Sequence, residues 1–221
     1  MSSQKGNSRE ISLDDLQKRI CGTDLIPSRA SLLDGLEEKI DLLKKHGILS
    51  LAVLRNELKT SKQLAALSSA TGINEPYLTL LRREIEGYFP KFFALKEIDW
   101  LPDQDIKKME QAGLKNAADL LQVKDPAGVS VSCGLEVKML EDLIRMAHLT
   151  RIQWVSPLFA RMLLEAGYDS PVKVASADPD QLCIAIRQIN EKNAYFNGVI
   201  GLRDIKRLVY GAIFADWSEK S

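Results

Sequence analysis

Apolar residues recur along the chain at the three-and-four spacing of one helical face. Leu36, Ile40 and Leu43 keep this spacing in one segment, and Leu78 and Leu81 keep it in a later one. The spacing gathers apolar side chains on one side of an α-helix, whereas a half-buried strand would alternate apolar and polar residues, which no segment does. The pattern therefore predicts an all-α fold.

Several helix starts are marked by a polar residue followed by a proline. Ser156-Pro157, Ser170-Pro171 and Asp178-Pro179 each offer a side-chain acceptor at the N-cap and a proline at the first helical position. Proline is tolerated there because its missing N–H would have no partner within the helix. These starts are closely spaced, so several of the predicted helices are short.

Short sequence landmarks recur at fixed distances. Residues 95–100 match residues 149–154 at an offset of 54, and Gly113 matches Gly167 at the same offset. Gly47 and the apolar residues before it align with Gly113 at an offset of 66. Recurrence of this kind predicts internal repeats.

We divide the chain at these landmarks into four segments. Residues 1–33 form a polar N-terminal arm and a first helix, residues 34–99 a diverged helical repeat, and residues 100–153 and 154–221 two further repeats. In each repeat a helix is expected to end at Gly47, Gly113 or Gly167, because glycine adopts the left-handed conformation that closes a helix. A short second helix follows, and the resulting hairpins must share their cores, so the repeats are expected to pack into one body.

Residues 95–185 resemble a helix-hairpin-helix domain. The resemblance rests on residues 152–160, 163–175 and 178–182, which read IQWVSPLFA, LLEAGYDSPVKVA and DPDQL. They are similar to uncharacterised bacterial families of helix-hairpin-helix type that carry only a domain-of-unknown-function label. The resemblance implies DNA binding without sequence preference, through hairpin backbone N–H groups that contact a phosphate.

The hairpins themselves depart from the family pattern, in which glycine, an apolar residue and a second glycine are often followed by proline. Trp154 and Ser156 before Pro157 replace both glycines, and Trp100 and Pro102 stand at the equivalent turn. Glycine permits a positive φ and a close approach of phosphate, so these replacements weigh against phosphate binding. We expect the hairpins to serve packing or protein contact, with both tryptophans as internal anchors at the repeat junctions.

The charge balance also weighs against a dedicated polyanion binder. The 221-residue chain carries 30 basic and 30 acidic side chains. The balance holds within each segment, with +1 for residues 1–33, 0 for 34–99, −1 for 100–153 and 0 for 154–221. Because a polyanion binder usually carries an excess of Lys and Arg, no segment is a basic module.

Two local basic clusters are the candidates for nucleic-acid contact. Arg203, Lys206 and Arg207 share one helical face, and Arg82 lies beside Arg83. A solvated helix face is the alternative interpretation of both clusters.

No pattern indicates catalysis, a cofactor, a metal site or a small-molecule substrate. His46 and His148 fall in different repeats, and neither has Asp, Glu or Cys at metal-ligand spacing. The three cysteines are odd in number and far apart, which predicts small buried side chains in a reducing cytoplasm rather than disulfides. No stretch approaches the ~20 apolar residues of a membrane span, so no membrane partner is expected.

Residues 88–93 place four aromatic side chains around Pro90, which fits either a core hinge or an exposed patch that recruits a partner. The whole sequence predicts a non-catalytic, all-α protein of tandem degenerate helix-hairpin-helix repeats. Two functions remain open. One is sequence-independent nucleic-acid binding, and the other is protein–protein interaction or self-association with no nucleic-acid role.

Overall fold

The regular structure is helical throughout the part of the chain described by the computed structural model, residues 10–89 and 92–219. The α-helices are α1 Leu13–Gly22, α2 Leu36–Lys45, α3 Leu51–Glu57, α4 Ser61–Thr71, α5 Glu75–Glu86, α6 Asp103–Gln111, α7 Ala117–Leu121, α8 Pro126–Cys133, α9 Val137–Leu149, α10 Pro157–Glu165, α11 Pro171–Ala175, α12 Pro179–Asn193 and α13 Leu202–Ala212. Three 3-10 segments, Pro27–Leu33, Leu95–Glu97 and Ala215–Glu219, add to them. Extended pairing within these residues is limited to two isolated antiparallel bridges. The predicted all-α class is confirmed.

The chain folds as two compact units. Unit 1 consists of the described residues of Met1–Phe89 together with those of Asp216–Ser221, and unit 2 of those of Pro90–Ala215. Unit 2 has a continuous apolar core that runs from Phe93 to Ala215. None of the described helices is both long enough and apolar enough to cross a bilayer.

The same order of four helices occurs three times, as α2–α5, α6–α9 and α10–α13. The first helix of each group is followed by a glycine with positive φ, at 81° in Gly47, 87° in Gly113 and 88° in Gly167. In the third group, the N–H of the next residue donates back to the carbonyl of Leu163 over 2.9 Å, which closes the helix end. The glycine conformations are as predicted, while the interpretation of the three groups as repeats packed into one body stays a prediction.

The predicted N-caps are confirmed. The side chains of Ser156, Ser170 and Asp178 accept hydrogen bonds from backbone N–H groups three residues further on, at 3.2, 3.4 and 2.9 Å. Each cap satisfies a backbone donor that would otherwise have no partner in the first turn. These local bonds set where α10, α11 and α12 begin, and so fix the tight turns between them.

The aromatic stretch at residues 88–93 is divided between the two cores. Tyr88 is buried in unit 1 and Phe93 in unit 2, whereas Phe92 is 50% exposed. Pro90 and Lys91 lie outside the described residues. The stretch is therefore neither wholly core nor wholly exposed.

The cysteines are not uniformly buried. Cys183 is buried and Cys133 half-buried, but Cys21 is exposed, so the prediction is wrong for Cys21. Helix α1 packs through Leu13, Leu16 and Ile20, and Cys21 lies outside this apolar stripe.

A buried arginine packs against two aromatic rings in unit 1. The Arg19 guanidinium carbon lies 3.5 Å from the Tyr88 ring centroid and 4.7 Å from that of Trp217. The two rings meet edge to face at 5.9 Å. This cluster joins three parts of unit 1: helix α1, the segment around Tyr88 that follows α5, and the 3-10 segment that contains Trp217.

Candidate functional site

A surface groove with a volume of about 640 Å³ crosses unit 2. Helix α9 forms one wall, and α10 with the following turn forms the other. We call it the Trp100 groove. Its lining residues are Trp100, Leu101, Glu136, Lys138, Met139, Asp142, Leu143, Arg145, Met146, Arg161, Leu164, Glu165, Gly167 and Asp169.

The basic residues of the Trp100 groove are paired within the chain. Lys138 lies 3.1 Å from Asp142, and Arg145 reaches the other oxygen of Asp142 at 2.8 Å. Arg161 Nε donates to Glu165 over 2.9 Å. Each of the three basic side chains that line the groove therefore already holds a carboxylate, while Met139, Leu143, Leu164 and their neighbours supply apolar surface.

Arg161 packs against two aromatic rings. Its guanidinium carbon is 5.0 Å from the Trp100 ring centroid and 4.7 Å from that of Tyr195. Tyr195 also donates its hydroxyl hydrogen to Glu165 over 2.8 Å. Burial and this hydrogen bond raise the pKa of Tyr195, so the phenol stays neutral. The stack fixes one end of the groove.

In the turn after α10, Asp169 stays ionised. Lys173 donates to its carboxylate over 2.9 Å, and this bond holds the pKa of Asp169 below its ordinary value. A carboxylate in this state is a poor proton donor near neutral pH. The groove thus offers Asp169 as a fixed negative charge.

The predicted hairpin at Trp154 keeps a glycine-like backbone without glycine. Trp154 has a φ of 70°, and Val155 N–H donates to the Ile152 carbonyl over 3.1 Å, just before the Ser156 cap and Pro157. The side chain of Trp154 is 57% exposed, so its prediction as an internal anchor is wrong. The backbone conformation turns this side chain to solvent, while Ile152 and Val155 fill the core.

The turn at Trp100 differs from the turn at Trp154. Trp100 is half-buried and packs against the core of unit 2, and its φ is not positive. Pro102 is the N-cap of α6 and supplies no side-chain bond to the helix. Gly113 and Gly167 end the first helices after these two turns, and Gly167 also lines the Trp100 groove.

The C-terminal basic cluster is only partly accessible. Arg203 and Lys206 are exposed on α13. The side chain of Arg207 is 10% exposed and lies 3.5 Å from Asp204, one turn earlier. Because Asp204 holds Arg207 and little of its side chain reaches solvent, the structure does not present the three residues as one accessible basic face.

The second basic pair belongs to unit 1. Arg82 is half-buried, and its Nη1 donates to the Leu58 carbonyl over 3.4 Å, whereas Arg83 is exposed. The pair therefore contributes one exposed cation, Arg83.

The loop of residues 194–201, between α12 and α13, was not singled out from the sequence. It exposes 51% of Phe196 and 90% of Val199 to solvent. The signal was present as an aromatic and glycine-containing run, AYFNGVIG, that is longer than the matching junctions in the other helix groups. Spacing alone did not reveal that its apolar residues face outward.

Comparison with known proteins identifies one family. Residues 101–213 match the family model described as Domain of unknown function (DUF4332). No curated protein and no solved structure matches the chain significantly. Within the described residues, no group of three or more His, Cys, Asp and Glu side chains is placed to hold a metal ion.

Proposed function

Because the chain belongs to the DUF4332 family, through residues that lie within unit 2, we propose a function from the geometry of that unit. The chain is a non-catalytic binding protein of helix-hairpin-helix type. Its Trp100 groove binds an apolar segment of a partner protein.

Tight helical hairpins support the helix-hairpin-helix assignment. Helices α10 and α11 are joined by only five residues, 166–170, around the left-handed Gly167. Helices α6 and α7 are joined by five residues, 112–116, around Gly113. Trp154 keeps a positive φ where the resembled family has glycine.

The internal pairing of the groove's basic side chains is the reason for proposing a protein partner. A phosphate would have to compete with Asp142, Glu141 or Glu165 for Arg145 and Arg161, and each of those ion pairs is in place already. An apolar side chain needs no such exchange, and it gains about 25 cal/mol for each Å² of apolar surface removed from water. The groove therefore favours apolar protein side chains over a nucleic-acid backbone.

The non-catalytic part of the proposal rests on how the groove holds its carboxylates. Glu165 accepts hydrogen bonds from Arg161, Tyr195 and Asn193, at 2.9, 2.8 and 3.2 Å. A carboxylate fixed by three donors is a structural anchor, since proton transfer would break these bonds. A cytoplasmic location, predicted from the cysteines, completes the proposal.

Selection of peptides tests the groove. A displayed library of random 12-residue peptides is panned against the wild-type chain, and apolar-rich sequences are expected to be enriched. Met139→Glu puts a charge on the groove surface and should abolish their binding, whereas Val131→Glu, at a position 81% exposed and outside the groove, should leave it unchanged. Enrichment that survives Met139→Glu would overturn the proposal.

A second copy of the chain is one partner of this kind. Sedimentation of the wild-type chain over a range of concentrations measures self-association. Loss of association in Met139→Glu would identify the Trp100 groove as the contact between copies.

Nucleic-acid binding is the second candidate, because Arg203 and Lys206 are both exposed on α13. An electrophoretic shift with generic duplex and single-stranded DNA, at low and at moderate salt, tests it. Binding that weakens steeply with salt and is lost in Arg203→Glu/Lys206→Glu would support this candidate. The absence of a shift at low salt would eliminate it.

A further inference from the structure

The loop of residues 194–201 is longer than a turn between α12 and α13 requires. The equivalent junctions, α4 to α5 and α8 to α9, contain three residues each, 72–74 and 134–136, whereas this junction contains eight. All three begin with a residue in the left-handed conformation, Gly72, Gly134 or Ala194. The additional residues are therefore not needed to reverse the chain, and loops that exceed their connecting role frequently carry binding functions.

Side chains of α12 hold the loop in one conformation. Asn190 accepts from the N–H of Phe196 over 2.7 Å and donates to the carbonyl of Phe196 over 2.8 Å. Arg187 donates twice to the Ile200 carbonyl, from Nε at 2.9 Å and from Nη2 at 2.8 Å. A loop held at both ends has already lost much of the conformational freedom that binding would otherwise remove.

The fixed loop presents apolar side chains to solvent. Phe196 is 51% exposed and Val199 is 90% exposed. The Phe196 ring lies against Gly198, where an added Cβ would approach the ring Cε1 to 2.4 Å. The glycine thus leaves room for the ring in its present position.

The loop continues one end of the Trp100 groove. Tyr195 is its second residue, and the Arg161 guanidinium that contacts the Tyr195 ring also contacts the Trp100 ring. Tyr195 and Asn193 both donate to Glu165, which lines the groove. A segment bound in the groove would reach the loop across this shared stack.

The charge changes sign from the groove to the helix ends that flank the loop. The groove is lined by four acidic and three basic side chains. Residues 187–206 contain four basic residues and two acidic ones, and one of these acids, Asp204, is paired with Arg207. Lys192, Arg203 and Lys206 are exposed there. The ends of α12 and α13 therefore favour negative charge in a segment that binds beside the loop.

We propose that the loop of residues 194–201 extends the Trp100 groove and selects protein segments that combine bulky apolar residues with acidic ones. The apolar residues would cover Phe196 and Val199, and the acidic residues would face Lys192, Arg203 and Lys206. This inference rests on the proposed function of the groove and names the chemistry of its partner.

The random 12-residue library tests the chemistry directly. Peptides enriched by the wild-type chain are expected to be rich in Leu, Phe and Trp and to carry more Asp and Glu than the unselected library. A fluorescein-labelled peptide from this selection is then titrated by fluorescence anisotropy. Phe196→Ser/Val199→Ser should weaken its binding at least about tenfold, the range expected for loss of central apolar contacts.

Three further variants separate charge from shape. Arg203→Glu/Lys206→Glu should weaken the acidic peptide and select basic peptides instead, while the control Lys107→Glu/Lys124→Glu, at exposed positions elsewhere in unit 2, should not. Gly198→Ala should displace the Phe196 ring and weaken binding with no change in polarity. Circular dichroism checks whether each variant keeps the helical content of the wild type.

The outcomes distinguish the inference from the function on which it rests. Peptides that depend on Met139 but carry no acidic excess, or that bind the loop variants unchanged, overturn the inference and leave the groove as a protein-binding site. Failure of the wild-type chain to enrich any peptide overturns both. Salt-sensitive binding of a labelled 20-residue oligothymidine that is lost in Arg203→Glu/Lys206→Glu would assign the surface to nucleic acid and overturn the inference as well.

Discussion

Replacing Gly167 by alanine measures how much the left-handed glycine at the end of α10 contributes to the free energy of unfolding, without a steric contribution. Gly167 has a φ of 88°, and a Cβ added there meets no atom within 4 Å. The cost is therefore that of placing an L-residue in the left-handed region, about 1–2 kcal/mol. Alanine also reduces the conformational entropy of the unfolded chain, and this offsets the cost by about 0.4–1 kcal/mol. We expect a net loss of about 1 kcal/mol in the free energy of unfolding.

The reverse substitution, alanine to glycine at position 194, should raise the free energy of unfolding. Ala194 has a φ of 53° and is exposed, so Ala194→Gly removes backbone strain and little packing. The relief of about 1–2 kcal/mol exceeds the entropic cost of glycine, about 0.5–1 kcal/mol. We expect a gain of about 0.5 kcal/mol.

Urea unfolding, followed by helical circular dichroism, measures both changes. The control is Gly211→Ala, because Gly211 lies within α13 and an added Cβ comes no closer than 3.9 Å to Ile152. Alanine should raise stability there by about 0.5–1 kcal/mol, as it does in a helix interior. If Gly167→Ala were as stable as Gly211→Ala, the left-handed closure would not be the constraint that we describe.

Three further substitutions test unit 1. Burial raises the pKa of Tyr77 to about 12 from its ordinary 10.0. The stability that the neutral Tyr77 phenol gives the fold is therefore fully present below pH 10.0 and is lost as the pH rises toward 12. In Tyr77→Phe the free energy of unfolding, measured with urea at pH 9 to 12, should fall less with rising pH than in the wild type. The Arg55 guanidinium lowers the pKa of Glu86 below 4.5, so Arg55→Gln should lower the free energy of unfolding at pH 7. Because both side chains are at least a third exposed, we expect a loss of about 0.5 kcal/mol. The difference from the wild type should shrink as acid protonates Glu86. Trp217→Ala should destabilise unit 1 by about 3–5 kcal/mol in the same assay, and a loss below about 1 kcal/mol would show that its buried ring contributes little.

The features that the sequence predicted well are those set by neighbouring residues. A serine or aspartate before a proline specifies a helix start within one turn, so Ser156, Ser170 and Asp178 are caps as predicted. Gly113 and Gly167 were identified because the apolar spacing stops beside them. These local rules account for the helical class and for the tight turns of unit 2.

The features that it predicted poorly depend on packing across the fold. Trp154 is bulky and apolar, which favours burial, but its positive φ turns the ring to solvent. Arg207 shares a helical face with Lys206, yet Asp204 holds it in a largely buried position. The Trp100 groove is formed by segments that are distant in the sequence, so periodicity within one helix could not reveal it.

Unit 1 is built from two stretches of the chain that are translated before and after unit 2, and this affects the order in which the two cores are completed. Trp217, which packs on Arg19 and Tyr88, is translated after the whole of unit 2. Domains generally fold as the chain emerges from the ribosome, at about 5–20 residues per second. Unit 2 can therefore fold while Arg19 and Tyr88 still lack their third ring, and unit 1, although its helices emerge first, completes its core last. A chain translated only as far as unit 2 therefore lacks the ring that completes the packing around Arg19.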